Sequence, residues 1–209
     1  MTLYVPAQFA MDERASVHRL IRDYPFATLV TPAQDEPFVS HLPLLFVDDG
    51  SEHGALVGHF ARANPHASAP GGNDSIAIFH GPHAYVSPSW YAQPERMVPT
   101  WNYATVHVRG AIEPSDDLAE ASSVLDALVA RFEGERAKPW TFGLAEPQRT
   151  AMLKAIRPFR MRIRDVAGKF KLSQNRSADD RMRVTAALRE EGYAEATATA
   201  DWMDRYAKP

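Results

Sequence analysis

Between Gly58 and Gly110 the chain reads GHFARANPHASAPGGNDSIAIFHGPHAYVSPSWYAQPERMVPTWNYATVHVRG, and imidazole, indole and phenol rings crowd into it among prolines. His80, His83 and His107 stand here with Tyr85, Trp90, Tyr91, Trp101 and Tyr103. Ordinary loops are built from Gly, Ser, Asn and Asp, whereas rings with one polar tip need an apolar wall and a hydrogen-bond partner together. A flat ligand or a second protein surface supplies both; an aromatic core crossed by loops is the plain alternative. A second group is cationic: Lys154, Arg157, Arg160, Arg162, Arg164, Lys169, Lys171 and Arg176 face the single acid Asp165 in their window. Such side chains bind phosphate or carboxylate, or they keep an edge strand solvated. A third is Arg62 with Asn64 in HFARANP, at a turn closed by Pro65, where a guanidinium and an amide can hold a phosphate.

Other chemistries lack their residues. The chain has no cysteine, which removes disulfides, thiolate catalysis and Cys-bound zinc or iron–sulfur centres. No HExxH or comparable spacing gathers the histidines for a metal. Haem ligation needs only one imidazole, and no motif supports it. GxSxG, GxGxxG and GxxxxGK[ST] are all absent, so nucleophile-elbow hydrolysis and the common phosphate loops fall away. No catalytic acid or base can be nominated. Formal net charge is −3, so attraction to a polyanion must come from a local patch. The start carries no basic region followed by an apolar one, and no run reaches eighteen apolar residues, so a cytoplasmic protein is expected.

The 209 residues suit one substantial domain. Asp12 can cap a helix to Asp23, with Val17, Leu20 and Ile21 on one face and Pro25 as its stop. Short β-rich runs follow: Phe26–Thr31, Phe38–Val47, Ala55–Phe60, Ser75–Gly81, His83–Ser87 across a Gly-Pro turn, and Tyr103–Glu113. Their close spacing predicts an antiparallel barrel, a mainly β chain with peripheral helices (α+β). Helices are expected over Ser115–Phe132, with Leu118, Val124, Leu125, Leu128 and Val129 buried, and over Glu146–Ile156. Phe159–Val166 alternates strictly, which predicts a strand with Phe159, Met161 and Ile163 inward and Arg160, Arg162 and Arg164 on the other face. Ser177 and Asp180 make a capping box for a helix to Glu191, and Gly192 precedes a last helix anchored by Tyr193, Trp202 and Met203. Those two helices resemble a helix-turn-helix only in outline, because acids outnumber bases from Leu188 onward.

The motifs MTLYVPAQF, PFATLVT, HLPLLF, GHFARANP, FHGPHAYVSPSWY, VPTWNYATVHVRG and GKFKLSQNRS, in order from residue 1 to about residue 176, resemble the PaiB-type FMN-binding negative transcriptional regulators. The resemblance implies a split β-barrel of the pyridoxamine-phosphate-oxidase and flavin-reductase type over residues 1–176. Residues 177–209 are then a helical appendage on the same domain. It implies a homodimer, with FMN as cofactor where two barrels meet. Arg62 and Asn64 match its GHxARxNP motif and are the first phosphate candidates; Lys169 and Lys171 come next, and Trp90, Tyr91 and Trp101 would line the flavin or the dimer seam. Flavin-dependent oxidoreductase activity is compatible with it. The rival expectations are a regulator that works through DNA or a partner protein without flavin, using the arginine strand and GKFKLSQN, and a haem-binding relative on the same barrel.

Overall fold

The computed structural model describes residues 3–69 and 74–206; the ends of the two expected ranges, residues 1–2 and 207–209, lie outside the described residues. In chain order the elements are β1 (Ala10–Met11), α1 (Arg14–Asp23), β2 (Phe26–Thr31), β3 (Phe38–Pro43), β4 (Leu45–Val47), β5 (Ala55–Ala61), β6 (Asp74–Val86), β7 (Thr100–Pro114), α2 (Leu118–Glu133), α3 (Gln148–Lys154), β8 (Ile156–Lys171), α4 (Ala178–Glu190) and α5 (Ala194–Tyr206). The hydrogen-bonded strand order is β3-β2-β6-β7-β8-β5-β4, with β1 on β8. Contacts divide the chain into a first unit, Met1–Tyr24, Phe79–His107 and Ala167–Pro209, and a second, Pro25–Ile78 and Val108–Val166. The strands β6, β7 and β8 each give residues to both.

In the second unit, β2 and β3 form an antiparallel hairpin from Phe26↔Pro43 to Thr31↔Phe38. The expected single run Phe38–Val47 is broken at Leu44: Pro43 has no N–H, Leu44 N donates to Pro25 O (2.9 Å), and β4 goes on to pair with β5. Pairs from Ala55↔Arg162 to Ala61↔Ile156 set β5 against β8. Along β8 the predicted alternation holds, with Phe159, Met161 and Ile163 buried and Arg162 and Arg164 exposed. Helix α2 starts at Leu118 because Asp117 caps it, accepting from Ala119 N at 2.8 Å. Its buried stripe is narrower than expected, only Ala121 and Leu128, since Val124, Leu125 and Val129 stay half-buried.

In the first unit, α1 begins at Arg14 rather than after Asp12, with Glu13 at its N-cap accepting from Ser16 Oγ. The expected Gly-Pro turn is absent; β6 runs through it as one strand. Gly81 and Pro82 are two successive buried residues, so the inside-outside alternation shifts by one there. Gly81 fits this place because a Cβ would come within 3.0 Å of Leu20 Cδ1 and 3.2 Å of Ala104 O. Ser177 caps α4, accepting from Asp180 N at 3.1 Å, and Gly192 at φ +74° separates it from α5. Trp202 packs on Phe170 and Tyr206, with centroids 5.2 and 5.1 Å away, and Met203 is buried against Asn102. Tyr193 is no anchor: it precedes α5 and is exposed.

Candidate functional site

Alternation along β7 puts Trp101, Tyr103, Thr105 and His107 on one face of the first unit. On β6 the shift at Gly81–Pro82 brings His80 and His83 out together, although three positions apart they would otherwise face opposite ways. These side chains line a cleft of about 420 Å³. Among the described residues no lysine or arginine lines it. Burial pushes the His80 and His107 imidazoles below their ordinary range, with His83 adding to the effect on His80 and His80 to that on His107. Thr105 Oγ1 donates to Phe79 O at 2.9 Å, and Trp101 is 53% exposed, its indole flanked by the rings of His83 (6.3 Å) and Tyr85 (6.2 Å).

Beside this face β8 carries Lys169 and Lys171, two residues apart and therefore on one side of the strand. Lys169 is only 9% exposed, its Nζ over the rings of Tyr4 (5.3 Å) and Tyr103 (5.4 Å). Lys171 Nζ donates to Thr100 Oγ1 (2.6 Å) and Trp101 O (2.5 Å). Burial first, then the charges of Lys169 and Arg176, hold the Lys171 ammonium below its usual range. Arg176 stacks over Tyr91, which is buried, at 5.5 Å. Among the described residues none of these three cations has a carboxylate within ion-pairing distance. Like charges gathered and partly desolvated without a counter-ion raise the free energy of the fold, and a bound anion relieves it.

The second unit treats its cations oppositely. Arg62 donates to Asp116 (2.7 Å) and to the carbonyls of Lys154 (2.7 Å) and Ile156 (3.0 Å). Asp116 also accepts from Arg157 (3.0 Å), and the Arg62 hydrogen bond is the main reason its carboxyl titrates below the ordinary range. Asn64 caps the turn Pro65–Ser68 through His66 N (2.9 Å) and donates to Ser40 Oγ (3.1 Å). The arginine face is neutralised in the same manner: Arg160 meets Asp49 (3.1 Å), Arg162 meets Glu113 (2.8 Å), and Arg164 meets Asp74. His66, 2% exposed between Phe38 and Phe60, bonds Ser40 Oγ (2.9 Å) and Thr31 Oγ1 (2.7 Å).

Of the nominated residues, then, Trp101, Lys169 and Lys171 stand together; Tyr91 sits beneath Arg176, and Trp90 is half-buried in the Pro88–Trp90 turn of the same unit. Arg62 and Asn64 are engaged within the second unit. His80, His83, His107 and Tyr103 stood among the rings and Arg176 among the cations singled out in the sequence, but none of them was assigned to the flavin. The i, i+2 spacing of residues 101–107 was the signal for the β7 members, while the shift at Gly81–Pro82 hid the β6 members.

A family model described as "Putative FMN-binding domain" matches residues 3–165. The chain belongs to that family. It is 33% identical over 206 residues to the protease synthase and sporulation protein PAI 2 of Bacillus subtilis, covering 97% of each chain. The resemblance carried by the sequence motifs is thereby established. Lys169, Lys171 and Arg176 lie past the family match. Among solved structures, the FAD and heme binding protein from Mycobacterium smegmatis superposes with a TM-score of 0.60 at 20% identity, covering 83% of this chain and 78% of that one. The flavocytochrome Anf3 from Azotobacter vinelandii gives 0.57 at 17% identity, covering 78% and 69%. At such identities the likeness concerns the fold, which is the split β-barrel.

Proposed function

We propose that the protein binds FMN on the β6–β8 face of the first unit, the phosphate among Lys169, Lys171 and Arg176 and the ring beside Trp101 and Tyr103. The observation that carries this is the group of three cations without carboxylates next to a cleft walled by rings. A flavin site needs both, and the family match names the same cofactor. Bound flavin supplies one- and two-electron transfer, so an oxidoreductase activity fits the open cleft; the chain's part is to neutralise the phosphate and wall the ring. Arg62 and Asn64, whose donors are already engaged, serve in this reading to fix the turn after β5.

The working form is proposed to be a cytoplasmic homodimer. Val98 at 68% and Trp101 at 53% exposure are large apolar groups on one unit, which a second copy would cover. Among the described residues no helix is long and apolar enough to cross a membrane. Regulation through DNA gains nothing from the arginine strand, because a polyanion would have to displace three carboxylates there. Purified protein should carry, or after FMN addition and gel filtration retain, a flavin band near one per chain. Protein that stays colourless would refute the assignment.

A further inference from the structure

His83 differs from the other imidazoles of the cleft in having an oriented ring. Its Nδ1 lies 3.2 Å from Gly81 O and 3.4 Å from Glu195 Oε1 of α5, and both neighbours are acceptors. Two acceptors around one ring nitrogen place the proton on it, so neutral His83 carries Nδ1–H and leaves Nε2 as a lone pair. Protonated His83 keeps that contact and offers Nε2–H. A carboxylate behind an imidazole in a cleft is the arrangement that makes a proton donor and acceptor. The ring also sits 6.3 Å from that of Trp101, inside the proposed flavin face.

The cleft's own chemistry limits what such a group serves. Among the described residues lysine and arginine are absent from the lining, and desolvation makes His80 and His107 take up protons less readily than an ordinary imidazole, so it does not gather anions as the Lys169–Lys171–Arg176 group does. Aromatic walls favour a flat molecule, and neutral imidazoles favour ring oxygens. A neutral planar carbonyl compound satisfies all of these.

We propose that His83 is the catalytic acid–base residue of this cleft, that Glu195 is its positioning residue, and that the ligand served is a quinone-class electron acceptor. The proposal rests on the flavin reading, because the electrons come from reduced flavin. The quinone takes a hydride, two electrons with one proton, from anionic reduced flavin at one oxygen. It takes a proton from His83 Nε2 at the other. The products are hydroquinone, oxidised flavin and neutral His83, whose Nδ1 proton stays with Gly81 O and Glu195; solvent then returns a proton to Nε2.

Two measurements on the full chain test it. Long-range proton–nitrogen NMR of the flavin-free protein reads the tautomer, expected as Nδ1–H; Nε2–H would overturn the dyad with the flavin reading untouched. Stopped-flow oxidation of the FMN-loaded, dithionite-reduced protein by 1,4-benzoquinone reads the proton step. H83Q, saturated with FMN before reduction, is expected to slow it about 100-fold. E195A, which leaves Gly81 O as the remaining acceptor at Nδ1, is expected to slow the same step and to let the Nε2–H tautomer appear in the NMR spectrum. Equal rates in wild type and H83Q would overturn the proposal even if FMN binds, whereas failure to bind FMN at all would overturn the flavin reading and the quinone step together.

Discussion

Two lysines at the end of β8 do different work from five arginines, four of them earlier on the same strand. Arg62, Arg157, Arg160, Arg162 and Arg164 each meet a carboxylate, and the exposed pairs among them are worth little in high dielectric. Lys169 and Lys171 meet rings, a hydroxyl and a carbonyl, and among the described residues no carboxylate pairs with them. Lys171→Ala should weaken FMN binding by roughly 1.5–3 kcal/mol, the range of a charge-assisted hydrogen bond, as measured by flavin fluorescence titration. Arg62→Ala should leave that affinity unchanged and lower stability by about 1 kcal/mol or less, read from urea unfolding. A large loss of FMN binding in Arg62→Ala with Lys171→Ala unaffected would move the phosphate to the turn after β5. Of this site the sequence showed the cations and the rings but not their partners. Arg160, Arg162 and Arg164 alternate with apolar residues in a way that reads as a free basic face, and only the fold brings Asp49, Glu113 and Asp74 to them from distant segments.

Close backbone approach governs the strands. In the second unit a Cβ on Gly110 of β7 would run into the carbonyl oxygen of Arg162 on β8, a backbone atom that cannot turn aside. Gly110→Ala should therefore cost on the order of 1–3 kcal/mol or prevent folding, measured as the urea midpoint. Ser177→Ala, removing the side chain that accepts from Asp180 N, should cost about 1 kcal/mol, with little change in flavin binding. Element positions were largely legible: β2 matches its expected span, the alternation of β8 holds, and Ser177 caps as expected. Two errors share a cause. The break at Leu44 and the continuity of β6 through Gly81–Pro82 are both set by what lies opposite, Pro25 O in one case and Leu20 with Ala104 in the other. Local turn chemistry carries no record of such partners, so it predicted a continuous strand where there is a corner and a turn where there is a strand.

At the scale of the molecule, imidazoles that lose water on folding couple stability to acidity; His66 is buried, His59 and His107 are half-buried, and His80 is exposed yet partly desolvated. His66 and His59 in the second unit, and His80 and His107 in the first, all titrate below their ordinary value, and burial is the leading cause for each. The folded chain then binds fewer protons than the unfolded chain just below pH 6.5, the ordinary histidine value. Their contribution is complete above that pH and is lost as the pH falls from it through the folded values. Urea midpoints should drop between about pH 6.5 and 5, and Ser40→Ala, which takes one partner from His66, should lower stability by about 1–3 kcal/mol at neutral pH. Light scattering of the purified chain should give twice the 23.3 kDa mass if the homodimer forms. The split barrel was legible from the motifs and the strand spacing; the division of labour between neutralised arginines and free lysines was not. That division is tested most directly by the ratio of FMN to riboflavin affinity, since the two ligands differ only in the phosphate. FMN should bind tighter by at least about tenfold, roughly 1.4 kcal/mol, with the gap closing in the Lys169→Ala/Lys171→Ala double variant. Equal affinities in the wild type, or a gap that the double variant leaves intact, would contradict it.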